Sequence, residues 1–142
     1  MHVDTILQTK GSAVHTLSST VTLADAVALL NAHNIGAVVI TESNGAIAGI
    51  LSERDIVRQL GRNPTGALSL PIADCMTRAV VTAERTTPID EVMERMTRRR
   101  IRHMPVAEDG RLMGIISIGD VVKFKIAEVE HEAEALREYI AS

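Results

Sequence analysis

Aromatic side chains are almost absent from this 142-residue chain: Phe124 and Tyr139 stand alone, and there is no Trp. A core must therefore be built from Val, Ile, Leu, Ala and Met, and the rings on which single-stranded nucleic acid stacks have nothing to be made of. The single cysteine, Cys75, excludes an intramolecular disulfide and any zinc site held by several thiolates. That usage suits a reducing, cytoplasmic compartment, and Cys75 reads as a small buried hydrophobe rather than a reactive thiol. No apolar run approaches the ~20 residues that span a bilayer. Met1-His2-Val3-Asp4 has neither the basic start nor the apolar stretch of a signal peptide. The formal net charge of -3 argues against a general polyanion binder. The five histidines show no close ligand spacing, and no nucleophile–base pair or carboxylate dyad can be read. Metal chemistry and catalysis are both disfavoured.

Hydrophobic residues, at 46% against 23% charged, are ample for a folded core. They are arranged twice over. Val14-His15-Thr16 recurs as Val80-Val81-Thr82, and Ile35 as Ile101. Gly49-Ile50-Leu51-Ser52-Glu53-Arg54-Asp55 recurs as Gly114-Ile115-Ile116-Ser117-Ile118-Gly119-Asp120. The offset is 66 residues up to about Ser43 and 65 from Gly45 onward, because Asn44 has no counterpart in the second copy. One supersecondary unit has been duplicated, and each copy is too small to bury its apolar face comfortably. Two copies packed face to face are expected to share one core and to enclose two related clefts.

In the first copy Val14 to Leu17 reads as a strand, and Leu23, Ala26, Val27 and Leu30 show helical spacing up to Asn34. Ala37 to Ile40 is a second strand, Glu42 to Gly45 a hairpin turn, and Ile47 to Leu51 the return strand. Ser52 opens a helix that Gly61 closes. The second copy repeats the order: strand Val80 to Ala83, a helix from Pro88 through Ile89, Val92, Met93 and Met96, strand Met104 to Ala107, turn Glu108 to Gly110, strand Leu112 to Ile116, and a helix from Ser117. Arg62 to Gly66 is a linker by its turn chemistry, and Pro71 to Met76 leads into the second copy as Val3 to Leu7 leads into the first. The expected fold is α/β of the α+β type: two β-α-β-β-α repeats with three-stranded sheets, residues 3–62 and 71–126, and a C-terminal helix extension over 127–142.

Gly-hydrophobic-hydrophobic-Ser-x-x-Asp occurs twice at the same junction of strand and helix. A helix start offers free N–H groups and the positive end of the dipole to a phosphate. The hydroxyls of Ser52 and Ser117 add donors, and Asp55 and Asp120, one turn further, can accept from a ribose diol. The competing explanation is that Ser-x-x-Asp is a capping box that only ties down a helix end.

The repeat, the paired motifs and Arg102-His103-Met104-Pro105-Val106 together resemble a tandem CBS-domain pair, the Bateman module, over about residues 3 to 126. The resemblance is to the short stand-alone, bacterial-type members. That resemblance implies a non-catalytic regulatory module for adenosine-containing ligands, AMP foremost, with ADP, ATP, NAD(H) or S-adenosylmethionine as alternatives. It implies phosphate at Ser52 and Ser117, ribose at Asp55 and Asp120, and adenine between Thr16 or Thr82 and the strands Ile35-Gly36-Ala37-Val38 or Ile101-Arg102-His103-Met104-Pro105. Arg102-His103 stands where the first repeat has Gly36-Ala37, so the second repeat's cleft is expected to be the more basic. Arg54 would supply charge to the first.

Two further features carry alternatives. Arg95, Arg98, Arg99, Arg100 and Arg102 form a basic run that either grips nucleic acid or phosphates, or is a solvated helix end. Val122, Ile126, Val129, Ala133, Leu136 and Ile140 form a coiled-coil-like seam. That seam, with helix faces carrying Leu23, Val27, Leu30, Val92, Met93 and Met96, predicts a homodimer. With no effector domain in the chain, the output is expected to pass to a second copy or to another protein.

Overall fold

The computed structural model covers residues 1–142. A short helix α1 (Val3–Lys10) precedes strand β1 (Thr16–Ser18), helix α2 (Leu23–His33), strands β2 (Ala37–Thr41) and β3 (Ile47–Ser52), and helix α3 (Glu53–Arg62). Two 3-10 turns, Ala67–Ser69 and Ile72–Asp74, link this half to helix α4 (Ile89–Arg99), strands β4 (His103–Glu108) and β5 (Arg111–Ser117), and helix α5 (Ile118–Ala141). In the first half β1 pairs parallel to β2 and β2 antiparallel to β3. The second half keeps only the antiparallel pair β4–β5. Both hairpins shift register at the same place, Ile40/Thr41 and Val106/Ala107.

The strand expected over Val80 to Ala83 is reduced to one parallel bridge, Ala83 with Val106. There Ala83 N–H donates to the Pro105 carbonyl and Ala107 N–H to the Ala83 carbonyl. The next rung back would need an N–H at residue 105 for the Val81 carbonyl, and proline has none. The first repeat has Val39 at that position and forms a three-residue strand.

Helix ends follow the sequence closely. Thr22, Ser52 and Ser117 each cap a helix, and their own N–H groups donate in return to the carboxylates of Asp25, Asp55 and Asp120, completing a capping box. α2 and α4 end at equivalent left-handed residues, Asn34 and Arg100. α3 runs through Gly61 to Arg62, so Gly61 is helical rather than a terminator.

There is no single shared core. One cluster gathers Leu23, Ala26, Leu30, Val38, Ile40, Leu51 and Ile56, and another gathers Ile89, Val92, Met96, Met104, Val106, Ile116 and Val121. The halves are tied by exchange instead. Val3, Ile6 and Leu7 of α1 complete the second cluster, while Ala67, Ile72 and Cys75 complete the first. Gly114 makes room for this: a Cβ there would meet Leu7 Cδ2 at 2.8 Å. Each lead-in segment thus serves the other repeat. Cys75 is buried, and burial first, then Asp74 and Asp55, pushes its thiol pKa up.

Leu23, Leu30, Val92 and Met96, expected to remain as free helix faces, are buried in these cores; of that group Val27 is the exposed one. α5 is continuous from the Ser117 cap, with no break at residue 127, and along it only Val121 is buried.

Candidate functional site

The two halves enclose a cleft of about 580 Å³, within the range of small-molecule sites. From the first repeat come Gly36, Ile50, Ser52, Glu53, Arg54, Asp55, Val57 and Arg58. From the second come Arg99, Arg100, Ile101, Arg102 and His103, and the approach to it supplies Thr77, Ala79, Val80 and Val81. The motif of one repeat therefore faces the strand entry of the other.

Backbone geometry explains the crossing. Glu53 N–H donates to the Gly36 carbonyl at 3.0 Å, and Ile118 N–H to the Arg102 carbonyl at 2.8 Å. Each repeat thereby seats its own motif helix beside its second strand. Gly36 leaves the space that the His103 ring occupies: a Cβ there would lie 3.2 Å from His103 Cε1 and 3.4 Å from Glu53 Oε1. Arg54 reaches across to donate from Nη1 to the Arg100 carbonyl at 3.1 Å.

At the motif itself, Asp55 Oδ2 accepts from Ser52 N–H at 2.9 Å and from Ser52 Oγ at 3.1 Å. Its Oδ1 has the Thr77 hydroxyl at 3.4 Å and Arg58 Nη1 at 3.9 Å. One oxygen is committed to the cap, and the other has only longer, weaker partners. The cap and the ligand reading are thus compatible in one residue. Five arginines, Arg54, Arg58, Arg99, Arg100 and Arg102, and two acidic residues, Glu53 and Asp55, line the cleft, so its lining has an excess of positive charge in a chain of net charge -3. Planar guanidinium forks suit phosphate oxygens, and Ile50, Ala79, Val80, Val81 and Ile101 offer an apolar wall. His103 is half-buried; burial first, with Lys10 and Arg102, holds its pKa below the usual value against the pull of Glu53 and Asp120.

The second motif is built differently. Asp120 Oδ2 accepts from Ser117 N–H at 2.9 Å and from Lys10 Nζ at 2.7 Å, and the same ammonium donates to the Ile115 carbonyl at 2.9 Å. Burial pushes the Asp120 carboxyl up, but Lys10 and the Ser117 bonds outweigh it and hold the pKa below the carboxylate range. The second motif thus has Lys10 as its close cation, while Arg102 and His103, which precede the motif in sequence, line the cleft of Ser52 and Asp55.

The other candidates divide. Ile101 lines the cleft beside Val80 and Val81, and Thr82 is half-buried with its carbonyl taken by Arg95 at 2.8 Å. Ala37, Val38, Met104 and Pro105 are buried strand residues beneath the surface, Ile35 packs on the first core, and Thr16 is exposed on β1. The arginine run also splits: Arg95 pairs with Glu91 and Arg98 with Glu94 along α4, while Arg99, Arg100 and Arg102 turn to the cleft. Thr77 and Ala79 were not singled out by the sequence, because their place in the cleft depends on contact between halves; Arg58, also missed, lies one turn beyond Asp55 on the same helix. His15 and His33 stack with ring centroids 3.9 Å apart, and no group of three or more potential metal ligands forms. No helix is long and apolar enough to cross a membrane.

Comparison with known proteins places this architecture. The CBS domain model matches residues 9–62 and again 72–127. The "CBS domain-containing protein CBSX3, mitochondrial" of Arabidopsis thaliana is 37% identical over 123 residues, 84% of this chain and 60% of that protein. The chain thus spans about three fifths of that relative's length. The crystal structure of a CBS-domain containing protein from Agrobacterium tumefaciens superposes with a TM-score of 0.86 at 42% identity, covering 88% of this chain and 99% of that one. The CBS domain pair of protein MJ0100, solved in complex with 5-methylthioadenosine and S-adenosyl-L-methionine, superposes with a TM-score of 0.81 at 29% identity, covering 90% of this chain and 98% of that one. The chain belongs to the CBS-domain family and carries two CBS domains as a tandem pair.

Proposed function

We propose that this chain is a non-catalytic regulatory module that binds a phosphate-bearing adenosine ligand in the cleft between its repeats. AMP is the first choice, with ADP, ATP and NAD(H) as alternatives. One observation carries the reading: Ser52 and Asp55 of the first repeat stand across a single cleft from Ile101, Arg102 and His103 of the second. Phosphate meets the start of α3 and the arginines, Asp55 Oδ1 accepts from the ribose diol, and adenine lies against Val80, Val81 and Ile101. The two ligands of the MJ0100 pair are adenosine compounds without phosphate, and they support the adenosine part of this reading.

Because the walls belong to different repeats, a ligand that fills the cleft favours the arrangement in which the halves are held together. It shifts that equilibrium only by its differential affinity. The signal then passes to a second copy or to an effector protein. The buried Cys75 suits a reducing, cytoplasmic setting. Nucleic acid is the weaker reading, since Arg95 and Arg98 are tied to their own helix.

Thermal melting tests the proposal. At ~100 times its dissociation constant a ligand should stabilise the fold by about 2.7 kcal/mol. If millimolar AMP, ADP, ATP, NADH and S-adenosylmethionine all leave the melting curve unmoved, the proposal fails.

A further inference from the structure

Arg100 holds a backbone conformation that its side chain disfavours. It ends α4 with φ 54° and ψ 45°, in the left-handed region, where a Cβ crowds the following carbonyl. The equivalent residue of the first repeat ends α2 with nearly the same angles, φ 51° and ψ 46°, and is Asn34. Asparagine tolerates this region better than any long side chain. The same turn is thus made by both residues, and arginine is the less favourable of the two.

Like charge adds to the strain. Arg98 pairs with Glu94 along α4, but Arg99, Arg100 and Arg102 have no carboxylate of the chain within ion-pairing distance, and all three line the cleft. The acids of the cleft, Glu53 and Asp55, belong to the opposite wall. The turn is also pinned from that wall: Arg54 of α3 donates from Nη1 to the Arg100 carbonyl at 3.1 Å. Asn34 has no such clamp, because the counterpart of Arg54 is Gly119. Strained residues persist where their surroundings over-determine them, and they cluster at ligand clamps.

We propose that Arg100 is the residue that selects a phosphate-bearing ligand, its guanidinium fork gripping the phosphate from the turn between α4 and β4. This rests on the cleft being the adenosine site and adds a second wall to the phosphate's surroundings. Arg54 acts as a positioning residue: by holding the Arg100 carbonyl it ties the grip to the closure of the two repeats.

Arg100→Asn tests it, because the variant gives the second repeat the residue that the first already has. With strain and an unpaired charge removed, it should melt about 2 °C above the wild type. In calorimetry it should bind AMP about ten- to a hundredfold more weakly, the loss of a hydrogen bond between charged groups. Adenosine, which carries no phosphate, should bind wild type and variant alike. Arg98→Gln removes one charge away from the cleft and should leave AMP affinity unchanged. A wild type that binds neither adenosine nor AMP would overturn the reading of the cleft, and this proposal with it. A wild type that binds both would overturn the role of Arg100 alone if Arg100→Asn binds AMP as tightly, loses adenosine equally, or melts lower. Equal weakening by Arg98→Gln would do the same, since net charge would then explain the loss.

Discussion

Lys10 Nζ lies 2.7 Å from Asp120 Oδ2, whereas Asp55, the equivalent acid of the first repeat, has the uncharged Thr77 hydroxyl 3.4 Å from its Oδ1. Duplication supplied two motifs of one pattern, and the exchanged lead-in segments gave their aspartates unequal partners. Asp120 is already paired with a cation of its own chain. Asp55 has its nearest cation, Arg58, at 3.9 Å.

Replacing Lys10 by Met should raise the Asp120 pKa, because the ion pair that outweighs burial is removed. A carboxylate whose folded pKa is depressed contributes stability above its unfolded value of about 3.9, lost as the pH falls through the folded pKa. The variant should therefore unfold in acid at a higher pH than the wild type. An NMR titration of the Asp120 carboxyl reads the shift directly, and an unchanged midpoint would mean the pair has no hold on it.

The three capping boxes provide an internal control. Thr22→Ala and Ser52→Ala each remove a cap of the same design and should each destabilise by about 1 kcal/mol. Only Ser52 lines the cleft, so only Ser52→Ala should also weaken a phosphate ligand, by about 1.5–3 kcal/mol for a hydrogen bond to a charged group. Urea titration and calorimetry together separate the two effects. Equal ligand affinity in both variants would make Ser52 a cap and nothing more.

The repeat, the elements and both motifs were legible in the sequence because they are local: spacing, turn residues and caps lie within a few positions of one another. The strand at Val80 to Ala83 was over-read because a single missing donor at Pro105, more than twenty residues away, shortens it. The composition of the cleft was hidden for a larger reason. Reading each repeat against its own motif puts Arg102 with Asp120, whereas packing puts it with Asp55. The same holds for Leu7, whose partner Gly114 belongs to the other repeat. Exchange between two similar units leaves no mark on the periodicity of either.

Ligand binding should take up protons at His103. Burial, Lys10 and Arg102 hold its pKa below the ordinary value against Glu53 and Asp120, which favours the neutral ring. Its depressed pKa contributes stability above about pH 6.5 that is lost as the pH falls through the folded value. A phosphate beside the ring favours the imidazolium, so affinity should rise as the pH is lowered from 7 towards 6. Calorimetry in two buffers of different ionisation enthalpy measures the uptake, and His103→Gln should abolish it. Identical heats in both buffers for the wild type would remove His103 from the phosphate's surroundings.

The central claim is that the cleft of Ser52 and Asp55, and not the motif at Asp120, receives the adenosine ligand. Calorimetric titration of AMP and ATP into the wild type, Asp55→Asn and Asp120→Asn tests it most directly, since the asparagine amide oxygen can still accept from the serine N–H of each cap. Asp55→Asn should weaken binding by about 1.5–3 kcal/mol, with Asp120→Asn close to the wild type. Loss at Asp120 equal to or greater than the loss at Asp55, or a wild type that binds neither nucleotide, would contradict it.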